Sequence, residues 1–156
     1  MDGVTDLKTC MEILLVGIAL AFFGRACAED ARCKLVHRYL WLFVAGAGVL
    51  LLFLRHGLSW HGFWDLFCFV ALQYLLFAKM YGLADCHAFS SSAILLAAYG
   101  GTILIFLIHM LLTIAFLGAV QLARGNVNRH GNLHRPVAML PYVFSAFLVV
   151  WVFLLL

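Results

Sequence analysis

Apolar residues fill this chain in long runs, and charged residues and glycines interrupt the runs at regular intervals. A helix needs about 20 apolar residues to cross a bilayer core about 30 Å thick. Dividing the runs at the charges and glycines predicts membrane-spanning helices over 10–28, 38–54, 62–81, 86–99, 102–122 and 137–156.

The stretch 86–121 decides how many helices there are, because it carries no charged residue apart from histidine. At about 1.5 Å per residue it is nearly twice as long as the bilayer core is thick, so it does not fit a single crossing. Gly100-Gly101 is the natural place for a turn. The pattern therefore predicts a short span over 86–99 and a longer one over 102–122.

The composition agrees with a membrane protein. Of the 156 residues, 66% are hydrophobic and 11% are charged, whereas soluble domains are about half apolar and about a quarter charged. We therefore expect an all-α integral membrane protein, a bundle of six transmembrane helices forming one domain over 1–156. No basic stripe follows a polar face, which argues against nucleic-acid binding.

The basic residues predict the orientation. Six crossings place 25–38, 79–85 and 123–135 on one side, and these segments hold eight of the ten Lys and Arg residues. They are Arg25, Arg32, Lys34, Arg38, Lys79, Arg124, Arg129 and Arg135. Cytoplasmic loops carry such an excess. We expect a multi-pass protein of the cell (cytoplasmic) membrane with both termini on the extracytoplasmic side.

The start of the chain allows another interpretation. Ala26-Cys27-Ala28 follows an apolar run and resembles a signal-peptidase site. However, the residues ahead of that run include Asp2, Asp6 and Glu12 against Lys8, whereas a signal peptide begins with positive charge. We expect no cleavage there.

Cysteine and histidine give little sign of a metal site. The five cysteines include no Cys-x-x-Cys pair, which predicts neither a zinc knuckle nor a disulfide framework. His130 and His134 are four residues apart, but Gly131-Asn132 between them indicates a loop. Cys86 and His87 are neighbours and point in different directions on a helix. His109 lies in mid-span and should face the interior of the bundle.

Small residues predict where helices approach closely. Gly46 and Gly48 lie in the second span, and Ser90-Ser91-Ser92 lies in the fourth. Membrane helices pack closely through such residues.

Two carboxyl groups are expected at the same membrane face. Asp30 ends the first span, and Asp85 begins the fourth. When two carboxyl groups lie close together, one keeps its proton and the other stays ionised. The ionised acid can take a proton from water while the neutral one protonates a peptide carbonyl, which is aspartyl proteolysis. In the alternative interpretation, Asp30 is a solvated helix end beside Arg32 and Lys34.

Three segments carry a resemblance to a known family. They are Asp30-Ala-Arg-Cys-Lys-Leu-Val36, Lys79-Met-Tyr-Gly-Leu-Ala-Asp85 and Arg135-Pro-Val-Ala-Met-Leu-Pro-Tyr142. In this order, they resemble the type IV prepilin peptidases, membrane aspartyl proteases of the Gly-x-Gly-Asp class. Without the paired Cys-x-x-Cys motifs of the large members, the chain resembles the short, peptidase-only form.

The chain departs from the family pattern at three places. Ala84 stands where members have the second glycine, His87 where a lysine often follows, and His37-Arg38 where Pro-Asn or Ser-Asn is common. Alanine is suitable at position 84 if the backbone φ there is negative. His87 replaces the lysine charge only when it is protonated.

The resemblance implies an aspartic-type endopeptidase that needs no cofactor or metal. It implies that Asp30 and Asp85 form the catalytic pair, with four supporting residues, Lys79, Gly82, Ala84 and His87. The substrate would be a prepilin-like or preflagellin-like precursor, cut after its basic leader at the cytoplasmic face. Basic residues expected to contact that substrate are Arg32, Lys34, Arg124 and Arg129.

Two other functions stay open at this point. One is a catalytically inactive membrane protein that binds pilins or assists their assembly. The other is a small ion-coupled transporter, for which acids near the bilayer midplane would be expected. The precursor protein and the lipid bilayer are the expected partners, and the oligomeric state is left open.

Overall fold

The computed structural model of the chain describes residues 2–57, 62–80, 82–126 and 137–156. Over these residues the fold is helical, as expected. The helices are α1 (Asp2–Cys33), α2 (Arg38–His56), α3 (Phe63–Leu72), α4 (Leu83–Ala98), α5 (Ile103–Ala123) and α6 (Leu140–Leu155), and a π-helical segment (Gln73–Phe77) continues α3.

Helices in the described part of the chain differ in length. Three of them are long and apolar enough to cross a membrane, namely α1 from Asp6 onward, α2 and α5. The other apolar helices, including α3 with its π-helical continuation, have 10–17 residues. Many large apolar side chains are exposed on their outer faces, such as Ile13 on α1 and Leu111 on α5. These features indicate a membrane protein.

A left-handed residue ends α1. Lys34 has φ of 54°, and its N–H donates to the carbonyl of Asp30 at 2.9 Å. This geometry is a common way to stop a helix. The Glu29 carboxylate then accepts the N–H of His37 at 3.2 Å. Because His37 directly precedes α2, Glu29 ties the start of α2 to the end of α1.

The turn between α4 and α5 lies at Gly100-Gly101, as predicted. Gly100 has φ of 83°. Gly101 donates its N–H to the Leu96 carbonyl at 2.9 Å, and a Cβ on Gly101 would lie 2.8 Å from that oxygen. Only glycine fits so close to the helix end. The next helix starts at Ile103, whose N–H donates to Asp65 Oδ2 on α3 at 3.1 Å.

The third helix differs from its predicted extent of 62–81. It is α-helical to Leu72 and π-helical over Gln73–Phe77, and a turn follows. The backbone carbonyl of Gln73 accepts the Cys86 thiol at 3.3 Å, and its side-chain Nε2 donates to Met110 Sδ at 3.0 Å. The wider turn therefore forms where α4 and α5 both contact α3.

Consecutive helices run in opposite directions, so each end of the bundle contains the last residues of some helices and the first residues of others. We call one end the Asp30 end. There, Asp30 on the last turns of α1 meets Leu140 at the start of α6. Gln121 near the end of α5 donates to the Tyr142 hydroxyl at 2.9 Å.

The opposite end is the Arg55 end. Arg55 near the end of α2 pairs with Glu12 on α1 at 2.8 Å, and its guanidinium lies 4.0 Å from the ring centre of Tyr99. His56 Nε2 lies 3.1 Å from the Ala98 carbonyl at the end of α4. These contacts hold the ends of α2 and α4 against the first half of α1.

Helix α4 lies at the centre and packs against α2, α3, α5 and α6. Its close contact with α2 is at Gly48, where an added Cβ would lie 2.9 Å from Ile94 Cγ2. Gly46 is exposed and has nothing within 4 Å of such a Cβ, so the expectation was right for Gly48 and wrong for Gly46. The difference follows from helix geometry, since two residues along a helix turn the side chain through about 200°.

Polar residues also lie in the interior. His109 is fully buried, as expected, and its Nε2 lies 3.0 Å from the Val143 carbonyl on α6. Phe89 and Phe147 pack edge-on against its ring. The imidazole thus connects α5 to α6 beside the central helix.

Candidate functional site

Asp30 is fixed by the start of α6. Its Oδ2 accepts the backbone N–H of Leu140 at 3.0 Å. The first N–H groups of a helix have no partner within the helix, so a carboxylate there satisfies one of them. One turn earlier on α1, the Cys27 thiol donates to the carbonyl of the same Leu140 at 3.3 Å. Two contacts therefore define the position of Asp30 relative to α6.

Asp85 is positioned by the turn that begins α4. Gly82 directly precedes that helix and has φ of 110°. The Asp85 carboxyl bends back toward it, since Oδ2 lies 3.9 Å from the place of a Cβ on Gly82. The side chain is half-buried.

Asp30 acts electrostatically on Asp85. Burial raises the pKa of Asp85 above its ordinary value, and the negative charge of Asp30 raises it further. Asp85 precedes 86–99, the stretch expected to cross the membrane. The fold thus places Asp85 within electrostatic range of Asp30, although α2 and α3 separate the two acids in sequence. A raised pKa produced by burial and a nearby like charge is typical of paired carboxyl groups.

Ala84 causes no conflict with the backbone. It is a residue of the first turn of α4, and the positive φ of this segment falls on Gly82 instead. The second glycine of the family pattern is therefore not required by the backbone conformation found here. The one glycine that the turn needs is present.

The other supporting residues lie around this turn. Lys79 is exposed in the turn that follows the π-helical segment. His87 is on α4, and its Nδ1 forms a short hydrogen bond with the Tyr74 hydroxyl. Tyr74 was not predicted as part of the site, because its contact depends on how the π-helical segment lies against α4.

Three of the four basic residues expected to contact substrate lie at the surface of the Asp30 end. Arg32 and Lys34 are exposed where α1 ends, and Arg124 is exposed just after α5. Arg129 lies outside the described residues, as do His130, His134 and the first two residues of the third family-like segment, Arg135 and Pro136.

A cavity of about 470 Å³ opens next to this region, between α2, the end of α3 and α4. Most of its lining is apolar or aromatic, and its polar side chains include those of Arg38, Tyr74, His87, Ser90 and Ser91. The sequence carried no signal for it, because it is a gap between helices that are apart in the chain.

The cysteines do not form a metal site with neighbouring acids or histidines. All five are free thiols, and the two buried ones, Cys27 and Cys86, each donate to a backbone carbonyl. Within the described ranges, no three side chains of the metal-ligating types lie together. Cys86 and His87 contact different partners, so the pair is not arranged for one residue to activate the other.

Compared with family models, with curated proteins and with solved structures, the chain has no match in any of the three.

Proposed function

We propose that this protein is a membrane aspartyl endopeptidase in which Asp30 and Asp85 activate water. The observation that carries the proposal is the effect of Asp30 on Asp85: two acids far apart in sequence interact at one end of a helical bundle. The resemblance of three segments to the type IV prepilin peptidases gives the reaction class.

The two acids take different roles. Asp85 holds the shared proton, because burial and the charge of Asp30 both raise its pKa. Asp30 carries the negative charge, and its hydrogen bond from Leu140 N–H fixes the carboxylate. Asp30 then takes a proton from water as the water attacks the peptide carbonyl. Asp85 gives its proton to the carbonyl oxygen, and a tetrahedral diol forms.

The proposed setting is the cell membrane, crossed six times. Six of the basic residues expected on the cytoplasmic side belong to described segments at the Asp30 end: Arg25, Arg32, Lys34, Arg38, Lys79 and Arg124. An excess of this kind favours a cytoplasmic location for that end. Both described terminal helices would then have their outer ends on the extracytoplasmic side. The substrate would be a prepilin-like precursor, cut where its basic leader meets the membrane.

The test is cleavage of a precursor pilin by membranes that contain this protein. Asp30→Asn and Asp85→Asn should each lower the rate by about 10²–10⁴-fold, the usual contribution of a general acid or base. Asp6→Asn is the matched control, because it removes an exposed carboxylate from the other half of α1.

Two results separate this proposal from its alternative. Cleavage at the wild-type rate by either site variant would rule out the paired mechanism. Full restoration of pilus assembly by the double Asn variant would favour a non-catalytic assembly protein.

A further inference from the structure

A groove runs between α2 and α3 along the length of α4. Both helices pack against α4, but in the described ranges no Cα atom of α2 lies within 8 Å of a Cα atom of α3. The 470 Å³ cavity lies at the Asp30 end of this gap, and a second cavity of about 340 Å³ lies toward the Arg55 end. Ile94 lines both, so the two cavities are neighbours along the gap between α2 and α3, which we call the α2–α3 groove.

The groove is mostly apolar, and its polar side chains lie in the first cavity, at the Asp30 end. Leu42, Val70 and Ile94 line the first part, and Val49 and Phe63 line the second. The groove opens to the outside of the bundle, because Leu42, which lines its first part, has 74% of its surface accessible.

The polar end carries a positive charge without an acidic partner. Arg38 lines the first cavity and is exposed, and no carboxylate of the described residues pairs with it. The Tyr74 hydroxyl, bonded to His87, lines the same cavity. An apolar channel with an arginine at one end has the charge distribution that complements an anionic amphiphile.

We propose that the α2–α3 groove binds a phospholipid with an anionic headgroup, its acyl chains along the groove and its phosphate on Arg38. Arginine binds phosphate through two parallel hydrogen bonds, and basic residues at the membrane surface attract anionic lipids. Tyrosine and arginine are the residues that suit the headgroup depth of a bilayer. The proposal rests on the membrane insertion proposed above but not on proteolysis.

The groove also passes close to the acids. His87 follows Asp85 by two residues on α4 and lines the headgroup end. A lipid bound there would occupy the space beside the proposed catalytic pair. The phosphate would sit at the same end of the bundle as Asp30, and the acyl chains would fill the side of α4 that α2 and α3 leave open.

Photo-crosslinking from within the groove tests the proposal. We would replace Leu42 with p-benzoylphenylalanine and reconstitute the full chain in bilayers that contain equal amounts of phosphatidylglycerol and phosphatidylcholine. After irradiation, mass spectrometry identifies the lipid in each adduct. We expect a phosphatidylglycerol adduct to dominate. Arg38→Gln should lower the ratio of phosphatidylglycerol to phosphatidylcholine adducts about fivefold, as expected for one basic residue near the surface.

Two controls locate the effect. Arg124→Gln removes another exposed arginine of the Asp30 end that does not line the groove, and it should leave the ratio unchanged. The same photo-label at Leu111, an exposed position on α5, should label both lipids in bilayer proportion.

Several results would overturn the proposal. Adducts from position 42 in bilayer proportion, with or without Arg38, would show no headgroup selection. Loss of the phosphatidylglycerol preference in millimolar inorganic phosphate would indicate an anion site without acyl-chain binding. In cell membranes, an adduct with a protein would mean that a partner helix occupies the groove. Absence of lipid adducts at both Leu42 and Leu111 would contradict membrane insertion itself.

Discussion

The position of the Asp85 carboxyl group depends on the glycine at position 82. With φ of 110° and ψ of 159°, Gly82 has a conformation that is essentially restricted to glycine. This backbone geometry starts α4 and turns the Asp85 carboxyl back over the glycine. Ala84, one position before the acid, is already in the helix and has an ordinary conformation. A departure from the family pattern at position 84 is therefore compatible with the geometry that positions the acid.

Exchanging the small residues of this turn should have unequal effects. Gly82→Ala forces a side chain into a glycine conformation and should destabilise the fold by about 1–3 kcal/mol. Ala84→Gly only loosens a helical position and should cost at most about 1 kcal/mol. Unfolding in mixed micelles, followed by circular dichroism, measures both. Equal losses, or a larger loss for Ala84→Gly, would contradict the assignment of the strained position to Gly82.

The raised pKa of Asp85 predicts how stability depends on pH. A carboxyl group with a raised pKa binds its proton more tightly in the folded protein than in the unfolded chain. Below the ordinary carboxyl pKa of about 4 both states are protonated, and the group has no effect. As the pH rises from there through the raised pKa of the folded state, stability is lost, because ionising the folded form is harder.

Asp85→Asn removes this ionisation. The variant should match the wild type in stability near pH 4 and exceed it at neutral and alkaline pH. Unfolding midpoints in detergent between pH 4 and 9 give the comparison, with Asp6→Asn as the control for an exposed carboxylate. A constant difference between Asp85→Asn and the wild type across this range would show that Asp85 has an ordinary pKa.

At the scale of helices, the contact between α2 and α4 depends on one glycine. A Cβ on Gly48 would come within 2.9 Å of Ile94 Cγ2 and 3.4 Å of Leu95 Cδ2. Gly46, half a turn away on the same helix, has open space beside it. Within a bilayer, helices associate mainly through close packing rather than through the hydrophobic effect, so this contact matters for the bundle.

The two glycines form a matched pair of test positions. Gly48→Leu should overpack the interface and lower the free energy of unfolding by about 1–3 kcal/mol. Gly46→Leu should leave it unchanged or slightly raised, because leucine favours the helix more than glycine does. Detergent unfolding titrations of both variants measure the difference. Similar values for the two would mean that α2 does not pack on α4 through Gly48.

The helix boundaries show what a single sequence can and cannot predict. The division at Gly100-Gly101 was predictable, because an uncharged stretch too long for one crossing contained two adjacent glycines. The π-helical segment was not, since apolar periodicity continues through Gln73–Phe77. Its widened turn is accompanied by a thiol from Cys86 and a thioether from Met110, and both belong to other helices.

The same distinction holds for the candidate site. The predicted membrane topology placed Asp30 and Asp85 at one face, and the fold brings them within electrostatic range, whereas their catalytic role stays a prediction. The Leu140 amide that bonds Asp30, and Tyr74 beside His87, depend on packing between distant segments. The sequence pattern around each residue does not predict such contacts, and they become visible only in the folded structure.

At the scale of the whole molecule, the alternating direction of the helices places Asp30 and Asp85 at the end of the bundle that carries most of the basic residues. The turns after α1, α3 and α5 lie at the Asp30 end, which also carries most of the basic residues. The turns after α2 and α4 lie at the Arg55 end, where Glu12 neutralises Arg55 and Asp65 caps α5. If the bundle crosses the membrane, this asymmetry decides which compartment the acids face.

Alkaline phosphatase fusions test that orientation. The reporter folds only where its disulfides form, outside the cytoplasm. We expect high activity for fusions after Gly57 and Gly101 and low activity after Lys34, Met80 and Asn126. Equal activity after Lys34 and Gly57 would mean that α2 does not cross the membrane. A fully inverted pattern would keep six crossings but place the acids outside the cell, where a cytoplasmic basic leader could not reach them.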